Sequence, residues 1–295
     1  MLSYTGSRNL YADLTNNDSS SNLSFGDTLI NEAIKFMLGD QAWYFLEAQA
    51  TDTTVASQAN YELPADFDKM NTVTITSGST KYNPTPLKSR DDYDFMTEST
   101  QTSDIPQYYF IYDNTLYFWP TPSSAGNTIT MNYKKRVVDL SQADYTTGTI
   151  TTATNGDETI VGDSTVWVAG MAGRYIRITA PTGDHKWYKI ASVTNNTNLE
   201  LDVPYVGTSI AAGSATYTIG EMSVIPEKYQ IAPVYHAAAT YWMTNNESGR
   251  ASNFMEMFEQ SRKSMKFEES KKTTNSVLNN VNKNVIRNPN LFING

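Results

Sequence analysis

The sequence predicts an α+β protein: helices at its two ends that form a helical bundle, a central β-sandwich-like region, and an inserted small β-barrel module. Three observations predict it. Apolar residues recur at helical spacing after residue 24 and again after residue 226. Between them the pattern shortens to β-prone runs set between turn residues. The composition is 12% aromatic and only 18% charged, with Thr, Ser and Asn in place of charge, which suits half-buried pleated surfaces. At 295 residues the chain can bury one large or two medium cores.

Taken in order, residues 15–22 read as a polar, Asn- and Ser-rich lead-in. Ser24 then reads as an N-cap, with Phe25, Leu29, Ala33, Phe36 and Met37 on one stripe of a helix that Gly39 ends. Ala42-Trp43-Tyr44-Phe45-Leu46 is apolar enough to demand burial, as a short second helix or a strand. Residues 72–76 and 128–133 are strands, and Tyr61-Glu62-Leu63-Pro64 and Pro84-Thr85-Pro86 punctuate the region. Tyr108–Tyr112 and Leu116–Trp119 form an aromatic hairpin around Asp113-Asn114, stopped by Pro120-Thr121-Pro122. Alternation puts Tyr109, Ile111 and Phe118 on one face and Tyr108, Phe110 and Tyr112 on the other. Both faces are apolar, so Tyr109, Tyr112, Tyr117 and Trp119 are either core or interface residues.

Residues 147–220 carry six short β-runs with Gly and Asn at the turns, as expected of a small barrel or sandwich whose flanks lie close together. From Pro226, read as a first helical position, Ile231, Val234, Tyr235, Ala238, Tyr241 and Trp242 share a stripe that Pro233 should kink. Phe254, Met257, Phe258, Ser261 and Met265 form a second stripe, making a helical hairpin. Residues 270–295 are Asn- and Lys-rich and weakly apolar, a composition expected to stay disordered until bound. The expected division is therefore 1–146, 147–220, 221–268 and an extended arm at 269–295.

Chemistry has little material here. There is no cysteine and only two histidines, His185 and His236, read as an exposed turn residue and a packed one. Walker, Rossmann, Gly-x-Ser-x-Gly, His-Glu-x-x-His and EF-hand patterns are absent. Asp91, Asp92 and Asp94 lack calcium-loop spacing and read as a solvated loop. No enzyme, cofactor or metal is expected. The net charge is -9, yet the last 35 residues carry +5 and the remainder -14. An acidic body argues against general nucleic-acid binding. The N-terminus lacks signal-peptide order, and no apolar run reaches membrane-spanning length, so synthesis in the cytoplasm and no membrane partner are expected.

The order of these motifs carries a resemblance. Phe25 to Trp43, Tyr61-Glu62-Leu63-Pro64, Ile105-Pro106-Gln107-Tyr108-Tyr109, Leu116 to Pro122, Met131-Asn132-Tyr133-Lys134-Lys135-Arg136 and Ile225-Pro226-Glu227 resemble the head-to-tail adaptors of tailed bacteriophages, of the podovirus tail-tubular-protein-A type. The resemblance runs over residues 10–265, interrupted at 147–220 by what looks like a small β-domain that recurs as an insertion in phage structural proteins. It implies a non-enzymatic virion protein, present in the host cytoplasm during assembly. In the virion it implies a ring, usually of twelve copies, docked under the portal protein, contacting a tail nozzle or tail tube protein, and lining a channel through which genomic DNA passes without specific binding. It also implies a portal-binding arm, which places Lys271, Lys272, Leu278, Val281, Lys283, Val285, Ile286, Arg287, Leu291 and Phe292 at that contact. The Tyr- and Trp-rich strands leave a glycan-binding tail or adhesin component as the alternative.

Overall fold

The computed structural model describes residues 1–286, with side chains through Glu268, and the chain divides into two compact units: Met1–Gln41 together with Asp139 onward, and Ala42–Val138. The first unit begins with α1 (Tyr4–Thr15), capped by Ser3, whose hydroxyl accepts the Gly6 N–H at 3.1 Å. Helix α2 (Ser20–Gly39) is capped by Ser19, five residues before the expected Ser24. The polar lead-in is in fact a packed turn. Asn16 ends α1 in the left-handed region, the Tyr11 hydroxyl donates to Asn22 Oδ1 at 3.0 Å, and Asn22 Nδ2 donates to Thr15 Oγ1 and to the Asn17 carbonyl. The buried stripe of α2 is Gly26, Ile30, Ala33, Ile34, Met37 and Leu38, while Phe25 and Phe36 are 40% and 50% exposed. The expected stripe is thus rotated. A Cβ on Gly26 would sit 2.4 Å from the Tyr11 ring, so glycine is what lets the two helices approach, and that approach selects the face.

The second unit opens with Trp43 and a 3-10 turn at Tyr44–Leu46, neither the helix nor the strand expected, leading into β1 (Glu47–Thr53). There follow β2 (Asn60–Glu62), β3 (Phe67–Ser77), β4 (Thr80–Tyr82), β5 (Thr85–Pro86), α3 (Arg90–Thr97), β6 (Thr102–Ser103), β7 (Tyr108–Tyr112), β8 (Thr115–Trp119), β9 (Thr121–Pro122) and β10 (Thr128–Lys135). One sheet has the order β1-β10-β3-β4 and another β2-β8-β7-β5, with β6 and β9 paired separately. Val73, Ile75, Ile129 and Met131 from the first sheet and Tyr61, Tyr109, Leu116 and Phe118 from the second bury a shared core, as in a sandwich. The aspartates expected in a loop lie on α3. Ser89 caps it, and Asp91 and Asp92 occupy its first turn, where the helix dipole favours acids.

Back in the first unit, β11 (Thr149–Ala153), β12 (Thr159–Asp163), β13 (Tyr175–Ile178), β14 (Trp187–Asn195), β15 (Asn198–Leu201) and β16 (Tyr217–Gly220) form a sheet ordered β11-β12-β15-β14-β13-β16. Its two edges meet. Tyr145 bridges Ile219, Ile150 bridges Ala215 and Ala153 bridges Ile210, so the sheet closes around Ile150, Ile160, Trp167, Ile176, Ile190, Leu199 and Tyr205. Arg174 donates to the carbonyls of Ala143 and Ile219, tying together the strands by which the chain enters and leaves.

Pro226 precedes a 3-10 turn at Glu227–Tyr229 rather than opening the helix, and α4 (Ala232–Thr244) starts just before Pro233. Pro233 therefore stands in the first turn and not inside the helix as expected, and there a proline has no i−4 hydrogen bond to lose. Helix α4 packs against α1, α2 and α5 (Ser248–Ile286) through Ala237, Ala238 and Ala239. On α5, Ala251, Phe258 and Met265 are buried seven residues apart, whereas Met257, expected on the stripe, is 42% exposed. The helix also continues past the expected boundary at 268. Near the end of α2, Asp40 accepts from Arg262 Nη2 at 2.8 Å and pairs with Lys266 at 3.0 Å. The Arg262 guanidinium lies 4.6 Å from the Phe36 ring centroid, which accounts for that ring's position outside the core.

Two outcomes follow from this packing. Gly26→Ala should lower stability by about 1–3 kcal/mol through overpacking against Tyr11, read as a lower midpoint in urea. The Arg262 hydrogen bonds hold the Asp40 carboxyl below its ordinary value. That contribution is complete above the unfolded carboxyl's pKa of about 4 and is lost as pH falls through the lower folded value. Asp40→Asn should therefore melt earlier than the parent at pH 7, with the gap closing in thermal scans below pH 4.

Candidate functional site

The aromatic hairpin is the first candidate. Asp113 and Asn114 both have positive φ, 47° and 57°, the geometry of a two-residue turn that matches strand twist. The strands pair Tyr109 with Phe118 and Phe110 with Tyr117. One face is core: Phe118 and Leu116 are fully buried and Tyr109 nearly so, and burial raises the Tyr109 phenol's pKa. The other face is covered in part by α3. Tyr93 stacks on Phe110 at 5.8 Å and leans on Tyr117 at 5.5 Å, and burial raises its phenol pKa. Tyr112, 51% exposed, stacks on Phe110 and lies under the Arg90 guanidinium at 4.7 Å. Tyr108 and the half-buried Trp119 pack together at 5.9 Å. Of the four aromatics singled out, Tyr109 is therefore inside, Tyr117 and Trp119 are half-buried, and Tyr112 is at the surface.

The second candidate is a groove of about 570 Å³ on the α4–α5 hairpin, with Met243, Ala251 and Met255 as apolar lining and Glu256 and Glu259 among its polar lining. Sequence reasoning missed it, because the α4–α5 pairing forms it. The basic run that begins at Arg262 is partly consumed inside the fold, since Arg262 and Lys266 serve Asp40. The arm residues Lys271, Lys272, Leu278, Val281, Lys283, Val285, Ile286, Arg287, Leu291 and Phe292 lie outside the residues whose side chains are described.

Neither histidine sits in a catalytic arrangement. His185 is exposed in a turn, and His236 lies against Phe258 at 4.8 Å and Phe36 at 6.2 Å, with its pKa lowered by burial. Among the described residues no group of three or more His, Asp or Glu is placed to hold a metal ion, and no helix is long and apolar enough to cross a membrane. Tyr93 was the reading's other omission. The signal was there: Ser89 followed by two aspartates is a helix-start pattern.

A family model described as SU10 adaptor protein matches residues 8–177. The chain belongs to the SU10 adaptor family. The matched residues run from α1 through the whole sandwich unit and into β13, so this adaptor's aromatic hairpin and the first two strands of its barrel fall within the family pattern. No curated protein matches the chain. Within the adaptor the two hairpin faces should respond differently to truncation. Phe118→Ala should cost about 3–5 kcal/mol, whereas Tyr112→Ala should cost no more than about 1 kcal/mol, both read by urea denaturation.

Proposed function

We propose that this protein is the head-to-tail connector of a tailed phage, a non-enzymatic part of the virion that assembles as a ring of twelve copies beneath the portal protein. The observation that carries the reading is the SU10 adaptor match over residues 8–177. The ring would connect the capsid to a tail nozzle or tail tube protein and surround the path of the genome. An acidic body fits that path, because a wall short of Lys and Arg does not exchange counterions with passing phosphate. Exposed Phe25, Met243 and Met257 on the helices give the helical unit apolar surface of the kind that subunit contacts cover.

In this proposal residues 1–146 and 221–268 make the adaptor body, 147–220 is an inserted barrel, and 269–295 is an arm that engages the portal. The pairing of Tyr145 with Ile219 supports the insertion, since it brings both ends of the barrel segment together. The arm's four cations, Lys271, Lys272, Lys283 and Arg287, would meet acidic portal surface, and its Leu278, Val281, Val285, Ile286, Leu291 and Phe292 would supply the apolar contact. The test is native mass measurement of the full chain, alone and with the portal of the same phage, beside a chain lacking residues 271–295. The full chain should join the portal as a symmetric ring, and the truncated chain should stay folded and fail to dock. Docking of the truncated chain at full strength would refute the arm, and a full chain that never joins the portal would refute the connector reading.

A further inference from the structure

The β1-β10-β3-β4 sheet is open on both sides. β1 is its terminal strand, with Glu47, Gln49, Thr51, Asp52 and Thr53 exposed. At the other side β4 pairs only with Ile75–Ser77, so β3 from Phe67 to Thr74 has a strand partner only in β10 among the described residues. An open edge presents unpaired backbone donors and acceptors and is a template for another strand. Lys and Pro commonly guard such edges, and β1, Glu-Ala-Gln-Ala-Thr-Asp-Thr, contains neither.

The side-chain rows that cross the sheet are complementary end to end. Glu47 stands opposite Lys134, which stands opposite Lys69. Gln49 donates to Asn132 at 2.8 Å, and Asn132 donates to Thr72 at 3.0 Å. Thr51, Thr130 and Thr74 make the third row. Lys134 has Glu47 opposite it and the Asp68 carboxylate at 4.0 Å, whereas Lys69, at the open edge, joins no ion pair among the described residues, so a further carboxylate beyond Lys69 would balance the row. A second copy set edge to edge supplies one, its own Glu47. Strand direction is consistent, since β1 and β3 are each antiparallel to β10 and therefore run the same way. The small rotation between neighbours in a ring of twelve, about 30°, turns that direction little, so the junction is parallel.

We propose that β1 of one copy adds to the free β3 edge of the next, with Glu47 beside Lys69, Gln49 beside Thr72 and Thr51 beside Thr74, and that this is a subunit contact of the ring. The inference rests on the ring assembly proposed above. It uses a different surface on each partner, the head-to-tail kind of contact that closes into rings.

The absence of cysteine makes the test direct. In a chain carrying Gln49→Cys and Thr72→Cys, β10 lies between the two sites of one copy, roughly 10 Å across two strand spacings and beyond the reach of a disulfide. Oxidised on the portal, this variant should run as a ladder of covalent multimers on a non-reducing gel, with each single-cysteine variant giving dimers at most. Glu47→Lys and Lys69→Glu should each raise the concentration needed for ring assembly about tenfold, and the double reversal should restore it. Thermal melting of each variant shows whether it is folded. Rings by native mass with no ladder, and with no effect of charge reversal in folded variants, would overturn this contact and leave the ring reading in place. A parent chain that forms no ring with the portal would overturn both.

Discussion

The helical unit is assembled from opposite ends of the chain, and its existence depends on the pairing that returns the chain to its start. Ser3 bridges Met222, the Tyr4 N–H donates to the Glu221 carbonyl at 2.8 Å, and Tyr145 bridges Ile219. Around these backbone pairs side chains add further hydrogen bonds. The Ser3 hydroxyl donates to Asp144, the Asp144 N–H donates to Thr5 Oγ1, and Glu221 accepts the N–H groups of Ser141 and Gln142. The Ser3–Asp144 and Asp144–Thr5 bonds are partly buried, where a lost partner costs more than it would in open water. The pairing fixes where the barrel leaves and rejoins, and it brings α1 and α2 to α4.

Charge is divided between internal and external work. A net -9 protein whose last 35 residues carry +5 looks, in sequence, like an acidic body with a cationic tail. In the fold the first cations of that tail belong to the body: Arg262 and Lys266 neutralise Asp40, and Arg262 also pairs with Glu259. At 14% and 17% side-chain exposure, Asp40 and Arg262 are shielded enough for hydrogen-bond geometry to count, unlike the exposed Lys35–Glu32 pair, which water screens. Lys263, between Arg262 and Lys266, is exposed and joins no ion pair among the described residues.

The sandwich unit shows how aromatic strands divide their labour. Alternation sends Leu116 and Phe118 inward and Tyr117 and Trp119 outward, and the outward rings are not left as a bare patch. Helix α3 lays Tyr93 across Tyr117 and Phe110 and Arg90 over Tyr112, so a short, acidic helix without a buried residue of its own is held by ring stacking. The β1-β10-β3-β4 sheet of the same unit has the opposite character on its outer face, with Thr, Asn and Gln in rows that end at open backbone edges.

Local chemistry was legible from the residues alone. The sequence by itself determined the α+β class, the hairpin turn at Asp113-Asn114, the end of α2 at Gly39 and the six strands of the barrel, because each depends on neighbours in the chain: turn propensity, period-two alternation, helical spacing. The tertiary structure decided the rest. Which face of α2 is buried was set by the approach of Tyr11 to Gly26, the barrel's closure by Ile150 and Ala153 reaching Ala215 and Ile210, and the place of Pro233 in the first turn of α4 by the 3-10 turn that precedes the helix. The open edges of β1 and β3 belong to the same class. A strand's own residues specify its pleat and its two faces, but whether its backbone has a partner on each side is settled only when every other strand has taken its place.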